Sequence, residues 1–288
     1  MKNPNICKSA IIKTLSYSGV FGHPLTFYQI SNNLITRNKF PPNKIKKELD
    51  KLVQKRIVRK TKKRYVLTGI KVHDVDKRKK ISKDIIERNK PIIKILSSIP
   101  WVKMIAITGS VANQSAEKDA DIDLLFITEK NRLWICRGFV FLILKTTGKL
   151  PKDLSKRELC PNIFIDERSM AWPKKRRNLY IAQNIISMQP FLWRDDTYFK
   201  FMEGNKWIQN YYGNFKFNVG KTNKKMSEKT NFIMKSLENL AKKTELSYMK
   251  KGRTTEVATD KLIHFNKNDS RKKTLSSYRK ILKKVETS

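Results

Sequence analysis

The 288-residue sequence predicts a mixed α/β (α+β) protein: a small mixed sheet flanked by an N-terminal unit of three short helices plus a hairpin and by a helical C-terminal region. Three observations lead there. Apolar residues recur at helical spacing from Ile6 to Val53. Two apolar runs of strand length, Val102 to Ile107 and Ile122 to Ile127, bracket a short charged loop. Helical periodicity then returns and dominates the remainder.

Each element has its own signal. Ile6, Ala10, Ile11 and Leu15 share a helical face, and Gly19, Gly22 and Pro24 interrupt it. Thr26 suits the N-cap of a second helix with Phe27, Ile30 and Leu34 inward. Pro41 and Pro42 open a third helix carrying Ile45, Leu49, Leu52 and Val53 on one side. Ile57-Val58 and Tyr65-Val66-Leu67, joined by the basic turn Lys60 to Arg64, read as a hairpin. This order looks like a winged helix-turn-helix. Residues 74–98 continue as helix, with Pro91 marking a break or a new start. Arg132 to Thr147, Arg177 to Gln189, Thr197 to Tyr212 and Asn231 to Lys250 read as helices, and Asn162 to Glu167 as a strand. Ile233, Leu237, Leu240, Ala241, Thr244 and Tyr248 would form the inner stripe of the Asn231 helix, with Gly252 as its C-cap. Lys221 to Ser227 reads as a linker, and Lys261 to Lys284 as a basic segment that either docks as a helix or stays mobile.

Composition excludes several function classes. With 39% hydrophobic residues the chain can build real cores, so it is not a basic disordered tail. Cys7, Cys136 and Cys160 are too scattered for a disulfide framework or a zinc ribbon. The three histidines are equally dispersed. No signal peptide is evident, and the longest apolar run, Phe139 to Leu144, is far shorter than the roughly 20 residues of a membrane span. A cytoplasmic protein without membrane contact is expected. The formal charge of +38 is uneven: residues 1–90 carry 24 basic and 6 acidic side chains, residues 91–170 carry 12 and 9, and residues 171–288 carry 27 and 10. A nearly neutral middle thus lies between two strongly basic flanks, which could attract nucleic acid. On the third helix Lys44, Lys47, Lys51 and Lys55 face outward, and Lys62, Lys63 and Arg64 sit in the hairpin turn. Lysine excess, 47 against 16 arginines, is also general in this chain and fits a simple coding bias.

The chemistry lies in the middle. Asp121 and Asp123 project from one face of a strand while Ile122 and Leu124 enter the core. Two carboxylates about 6 to 7 Å apart along a strand repel unless a cation joins them, and oxygen-only ligands suit Mg²⁺. A pair of such ions can clamp the attacking and leaving oxygens of a phosphoryl transfer. Gly109-Ser110, at the end of the preceding strand, lets backbone approach a phosphate and adds a hydroxyl. Asp119 and Asp121 form an overlapping Asp-x-Asp, but Asp121 and Asp123 run directly into the apolar strand.

Gly109-Ser110, followed eleven residues later by Asp121-Ile122-Asp123-Leu124-Leu125, resembles the signature of the polymerase-β-type nucleotidyltransferase superfamily. The wider arrangement is similar to bacterial proteins with this domain between a winged-helix-like N-terminal segment and a helical C-terminal region, through Cys160 to Ile165, Asn178 to Ala182 and Phe201 to Trp207. The resemblance implies domains at 1–72 (winged-helix-like), 73–98 (helical linker), 99–170 (catalytic core), 171–220 (helical extension) and 221–288 (basic helical region). It implies transfer of a nucleoside monophosphate from an NTP to an acceptor, with pyrophosphate released. Asp121 and Asp123 would hold two Mg²⁺ ions, and Gly109 and Ser110 the triphosphate. The superfamily's third carboxylate, a general base, falls best on Asp166. If Asn162 stands where that acid belongs, the base is missing, and the chain is instead a catalytically inactive nucleic-acid-binding or regulatory protein working through its basic flanks.

Overall fold

The computed structural model describes residues 5–149, 159–217, 232–249, 257–264 and 270–287. The Lys221 to Ser227 linker and the Gly252 cap lie outside them. The N-terminal unit consists of helix α1 (Ile6–Gly19), strand β1 (Leu25–Thr26), helices α2 (Phe27–Asn32) and α3 (Pro42–Gln54), and strands β2 (Val58–Thr61) and β3 (Arg64–Leu67). The strands form an antiparallel sheet in the order β1-β3-β2. Local chemistry sets the helix starts. Asn5 accepts from Lys8 N at the head of α1, Thr26 and Gln29 form a capping box on α2, and Pro42 opens α3. Ile11, Leu15, Ile30, Leu34, Ile45, Leu49 and Leu52 are buried together, whereas Ile6 is exposed in the first turn of α1.

Helix α4 (Val75–Ser97) leads to the second unit and runs straight through Pro91. The proline does not end the helix, contrary to expectation. Pro91 and Glu87, one turn earlier, both face solvent, so the carbonyl that loses its amide partner can meet water. Ile85, Ile92, Ile93 and Leu96 meanwhile hold the opposite face in the core.

The central sheet has six strands in the order β7-β4-β5-β6-β9-β8. Strand β4 (Val102–Thr108) and β5 (Ile122–Thr128) are antiparallel, linked through the short helix α5 (Gly109–Ala112). Helix α6 (Leu133–Thr146) crosses over to β6 (Leu159–Asp166), which lies parallel to β5. Helix α7 (Leu179–Ser187) is followed by edge strand β7 (Gln189–Trp193), then by helix α8 (Thr197–Gly204) and a 3-10 turn (Lys206–Asn210). Helix α9 (Phe232–Met249), strands β8 (Val257–Ala258) and β9 (Leu262–His264), and helix α10 (Ser270–Glu286) complete the chain.

Alternation along the strands sends Ile105, Ile107, Leu124 and Phe126 toward α4 and α6, and Met104, Ala106, Leu125 and Ile127 toward α7 and α8. Both faces are therefore covered. Strand β7 was not anticipated. Pro190 has no amide to donate, which suits an edge strand, and its register with β4 shifts between Ile105 and Ala106. The basic C-terminal segment also does more than dock a helix, because β9 pairs with β6 and extends the sheet. The inner face of α9 differs from the expected stripe. Leu237 and Leu240 are 47% and 60% exposed, while Glu238 is buried and Ala241 and Leu246 pack on the core.

Candidate active site

Asp123 lies on β5, one residue inside its start, and Asp121 immediately precedes the strand. Parity sends both to the face covered by α7. Gly109 sits beside them at the end of antiparallel β4, with Thr108 registered opposite Asp123. Its φ of +71° is in the left-handed region, and a Cβ there would overlap the Asp123 carboxylate. Glycine is thus required both by the turn and by the approach of an acid. Asn113 holds that turn, donating from Nδ2 to Gly109 O at 2.8 Å. Ser115 N donates to Ser110 O at 3.0 Å.

Strand β6 brings the third wall. Asp123 is registered with Cys160 and Leu124 with Pro161, but Leu125 pairs with Ile163, so Asn162 is an extra residue in a bulge. The bulge turns Asn162 toward the site, where its Nδ2 donates to Asp123 Oδ1 and its Oδ1 accepts from Cys160 Sγ at 2.9 Å. Asp121, Asp123 and Cys160 each offer a ligand atom within 4.8 Å of the others. Burial, and after it the charge of Asp121, raise the Asp123 carboxyl to about 7, with the Asn162 hydrogen bond pulling the other way. This pair of acids would be relieved by a cation. The two carboxylates fit a hard divalent ion such as Mg²⁺; the Cys160 thiol is a softer donor than a third oxygen would be.

The structure brings Gly109, Ser110, Asp121 and Asp123 together and leaves Asp166 apart from them. Asp166 is six residues beyond Cys160 on β6, roughly 20 Å along the strand, registered with Thr128 at the other end of β5. It is fully buried, and its carboxylate is committed. Arg168 donates to it from Nε at 2.7 Å and from a terminal nitrogen at 2.8 Å, and the amides of Asn131 and Arg168 donate at 2.8 and 2.9 Å. Plain alternation along β6 would put Asn162, Phe164 and Asp166 on one face. The bulge breaks that parity: Phe164 stacks on Phe126 beneath α6, centroids 4.8 Å apart, while Asn162 reaches the acids.

Two cavities meet at Gly109 and Asp123. The first, about 310 Å³, opens toward the N-terminal unit and is lined by Tyr17, His23, Asn33, Ser110 and Gln183, among others. The second, about 370 Å³, runs from Asp121, Cys160 and Asn162 to Trp172, Met188 and His264. Cys160, Trp172 and His264 were not read as site residues, and Asn162 was weighed only as standing where the third acid belongs. Asn162 opened the expected strand and Cys160 lay just before it; Pro161, which has no amide to give a central ladder, was the local signal for the bulge that aims Asn162. Trp172 and His264 reach the site only through folding.

Residues 89–182 match the family of the nucleotidyltransferase domain. The match spans the end of α4, β4 to β6 and the start of α7, so it contains the Gly-Ser turn, both aspartates, Cys160 and Asn162. The chain carries a nucleotidyltransferase domain, consistent with the polymerase-β-type superfamily. No curated protein matches the chain. Among the described residues no helix is long and apolar enough to cross a membrane.

Proposed function

We propose that this protein is a divalent-metal-dependent nucleotidyltransferase that moves a nucleoside monophosphate from an NTP to an acceptor hydroxyl. The observation that carries this reading is the convergence of Asp121 and Asp123 on a Gly109 that no other residue could replace, inside a nucleotidyltransferase domain. Gly109 and Ser110 take the β and γ phosphates, and Asp121 and Asp123 hold Mg²⁺. When bound, the metal supplies charge neutralisation for the phosphates and lowers the cost of forming the attacking oxyanion. The acceptor oxygen bonds the α-phosphorus, the α–β bridging P–O bond breaks, and its electron pair leaves on pyrophosphate, while the hydroxyl proton passes to solvent. Asn162 orients Asp123 through its amide. Purified protein with Mg²⁺ and α-labelled NTP is expected to transfer label, and Asp121→Ala combined with Asp123→Ala to abolish transfer. Equal incorporation by wild type and double mutant would sink the proposal.

A second reading is favoured by Asn162 standing where an acid would complete the set, and by the exposed lysines of α3 and the β2–β3 turn. In it the domain binds without catalysis, and the N-terminal unit acts as a winged helix on nucleic acid. A rise in melting temperature with NTP and Mg²⁺ that requires Asp121 supports the enzyme; its absence supports the binding module.

A further inference from the structure

The acceptor can be argued from the order of the strands at the site. Across the sheet edge the sequence of positions is Gly109 on β4, Asp121 and Asp123 on β5, then Cys160 and Asn162 on β6. Displacement at the α-phosphorus is in line, with the attacking and leaving oxygens on opposite sides. If the leaving phosphates lie at Gly109 and Ser110, the acceptor enters from β6, which is the second cavity. Its volume of about 370 Å³ is that of a small-molecule site.

The cavity has an apolar wall beside a polar one. Ile181, Ile185 and Met188 form the first, Asn162, Asn184 and Ser270 belong to the second, and Trp172 meets His264 edge to face with centroids 5.7 Å apart. His264 is kept uncharged by burial, then by Arg176 and Arg271 nearby, which lower it to about 4. In a chain with 63 Lys and Arg, none lines either cavity among the described residues. Polynucleotides are positioned by cations on their phosphates, and among the described residues Arg176 and Arg271, though felt by His264, do not line this cavity. Trp172, which lines this cavity and a neighbouring one, also carries a polar demand: its indole N–H is buried without a hydrogen-bond partner, although its backbone is held by Asn205 and Arg177. An unpaired buried donor is costly and is relieved by a ligand oxygen or nitrogen.

We infer that the acceptor is a small, uncharged, hydroxyl-bearing molecule with a ring or apolar body, bound between Trp172, His264 and α7, an inference that rests on the nucleotidyl-transfer reading above. Its hydroxyl faces Asp123, and a hydrogen-bond acceptor on its body meets the Trp172 indole. Transfer gives it a phosphodiester-linked nucleotide and a negative charge.

That gain of charge is the readout. The full chain, Mg²⁺ and each α-labelled NTP are incubated with deproteinised cell-extract fractions: uncharged compounds below about 1 kDa, charged compounds of the same size, bulk RNA and single-stranded DNA. Label is expected in the uncharged fraction, on a product newly retained by an anion exchanger. Trp172→Phe keeps the ring body and removes the donor, and is expected to raise the acceptor KM about tenfold with kcat little changed. Ile185→Trp fills the cavity and is expected to cut transfer at least tenfold. Both variants should keep the melting-temperature rise with Mg²⁺ and NTP, showing an intact fold and nucleotide site. Failure of wild type to show an Asp121-dependent rise overturns the nucleotidyltransferase reading itself. A normal rise with no label in any fraction overturns the transferase reading and this inference together, whereas label confined to the other fractions, or unaltered transfer in both variants, overturns this inference alone.

Discussion

At Asp123 the chain holds a carboxylate where water is scarce and a second acid is near. Its ordinary value of 3.8 is raised to about 7, first by burial and then by Asp121. Between those two values the folded chain keeps a proton that the unfolded chain has released. Stability therefore falls as pH rises through this window, and the loss persists above it. Metal-free protein is expected to melt lower at pH 8 than at pH 5 through this group, with Asp123→Asn flattening the slope. Mg²⁺ at pH 8 should restore wild type and not the variant, as followed by calorimetry. A wild-type slope unchanged in Asp123→Asn would contradict the assignment. Gly109, Ser110, Asp121 and Asp123 were legible in the sequence because their relation is local, through strand parity and one tight turn. Asp166 illustrates the limit. It has the right residue type on the right strand, yet it lies at the far end of β6, registered with Thr128 and not with Asp123, and Arg168 takes up its charge.

Helix α9 shows how an element can be read correctly and its face wrongly. Its helical period was evident, but apolarity suggested that Leu237 and Leu240 point inward. The buried Glu238 instead accepts from the amides of Trp134 and Ile135 at 2.8 and 3.0 Å, capping α6 from another part of the chain. Glu245 forms an ion pair with Arg137 of α6. Position on the helix surface was overruled by the unpaired amides of a partner helix, which no local pattern reveals. Glu238→Ala is expected to cost about 1 to 2 kcal/mol, by loss of this cap, and Leu240→Ala close to nothing. Denaturant unfolding of both variants checks this; equal losses would return the inner face to Leu240. Short strands followed the same rule. β7, β8 and β9 have little intrinsic signal; β7 and β9 exist because β4 and β6 leave edges for them to pair with, and β8 pairs in turn with β9.

Over the whole molecule, charge and fold are distributed differently. Nearly all of the +38 lies in the flanks, while the two cavities have no Lys or Arg in their lining among the described residues. The C-terminal flank is nevertheless part of the packed structure: β9 extends the central sheet, and Ile281, Leu282 and Val285 of α10 pack on the N-terminal core. If the N-terminal unit binds nucleic acid, duplex affinity should fall steeply between 50 and 200 mM salt, on the order of a thousandfold for six neutralised phosphates. Replacing Lys44, Lys47 and Lys51 with Ala should flatten that dependence, and fluorescence anisotropy measures both. An unchanged slope would assign the charge elsewhere. The N-terminal helices and hairpin, the sheet's two central runs, and the Gly-Ser and Asp-x-Asp pair follow from sequence, because periodicity and turn chemistry act over a few residues. The bulge that recruits Asn162, the placing of Asp166 at the far end of β6, the capping of α6 by Glu238, and the cavity that Trp172 and His264 help line follow from folding. Each joins residues tens of positions apart, where burial and unpaired hydrogen-bonding groups, not local propensity, set the geometry.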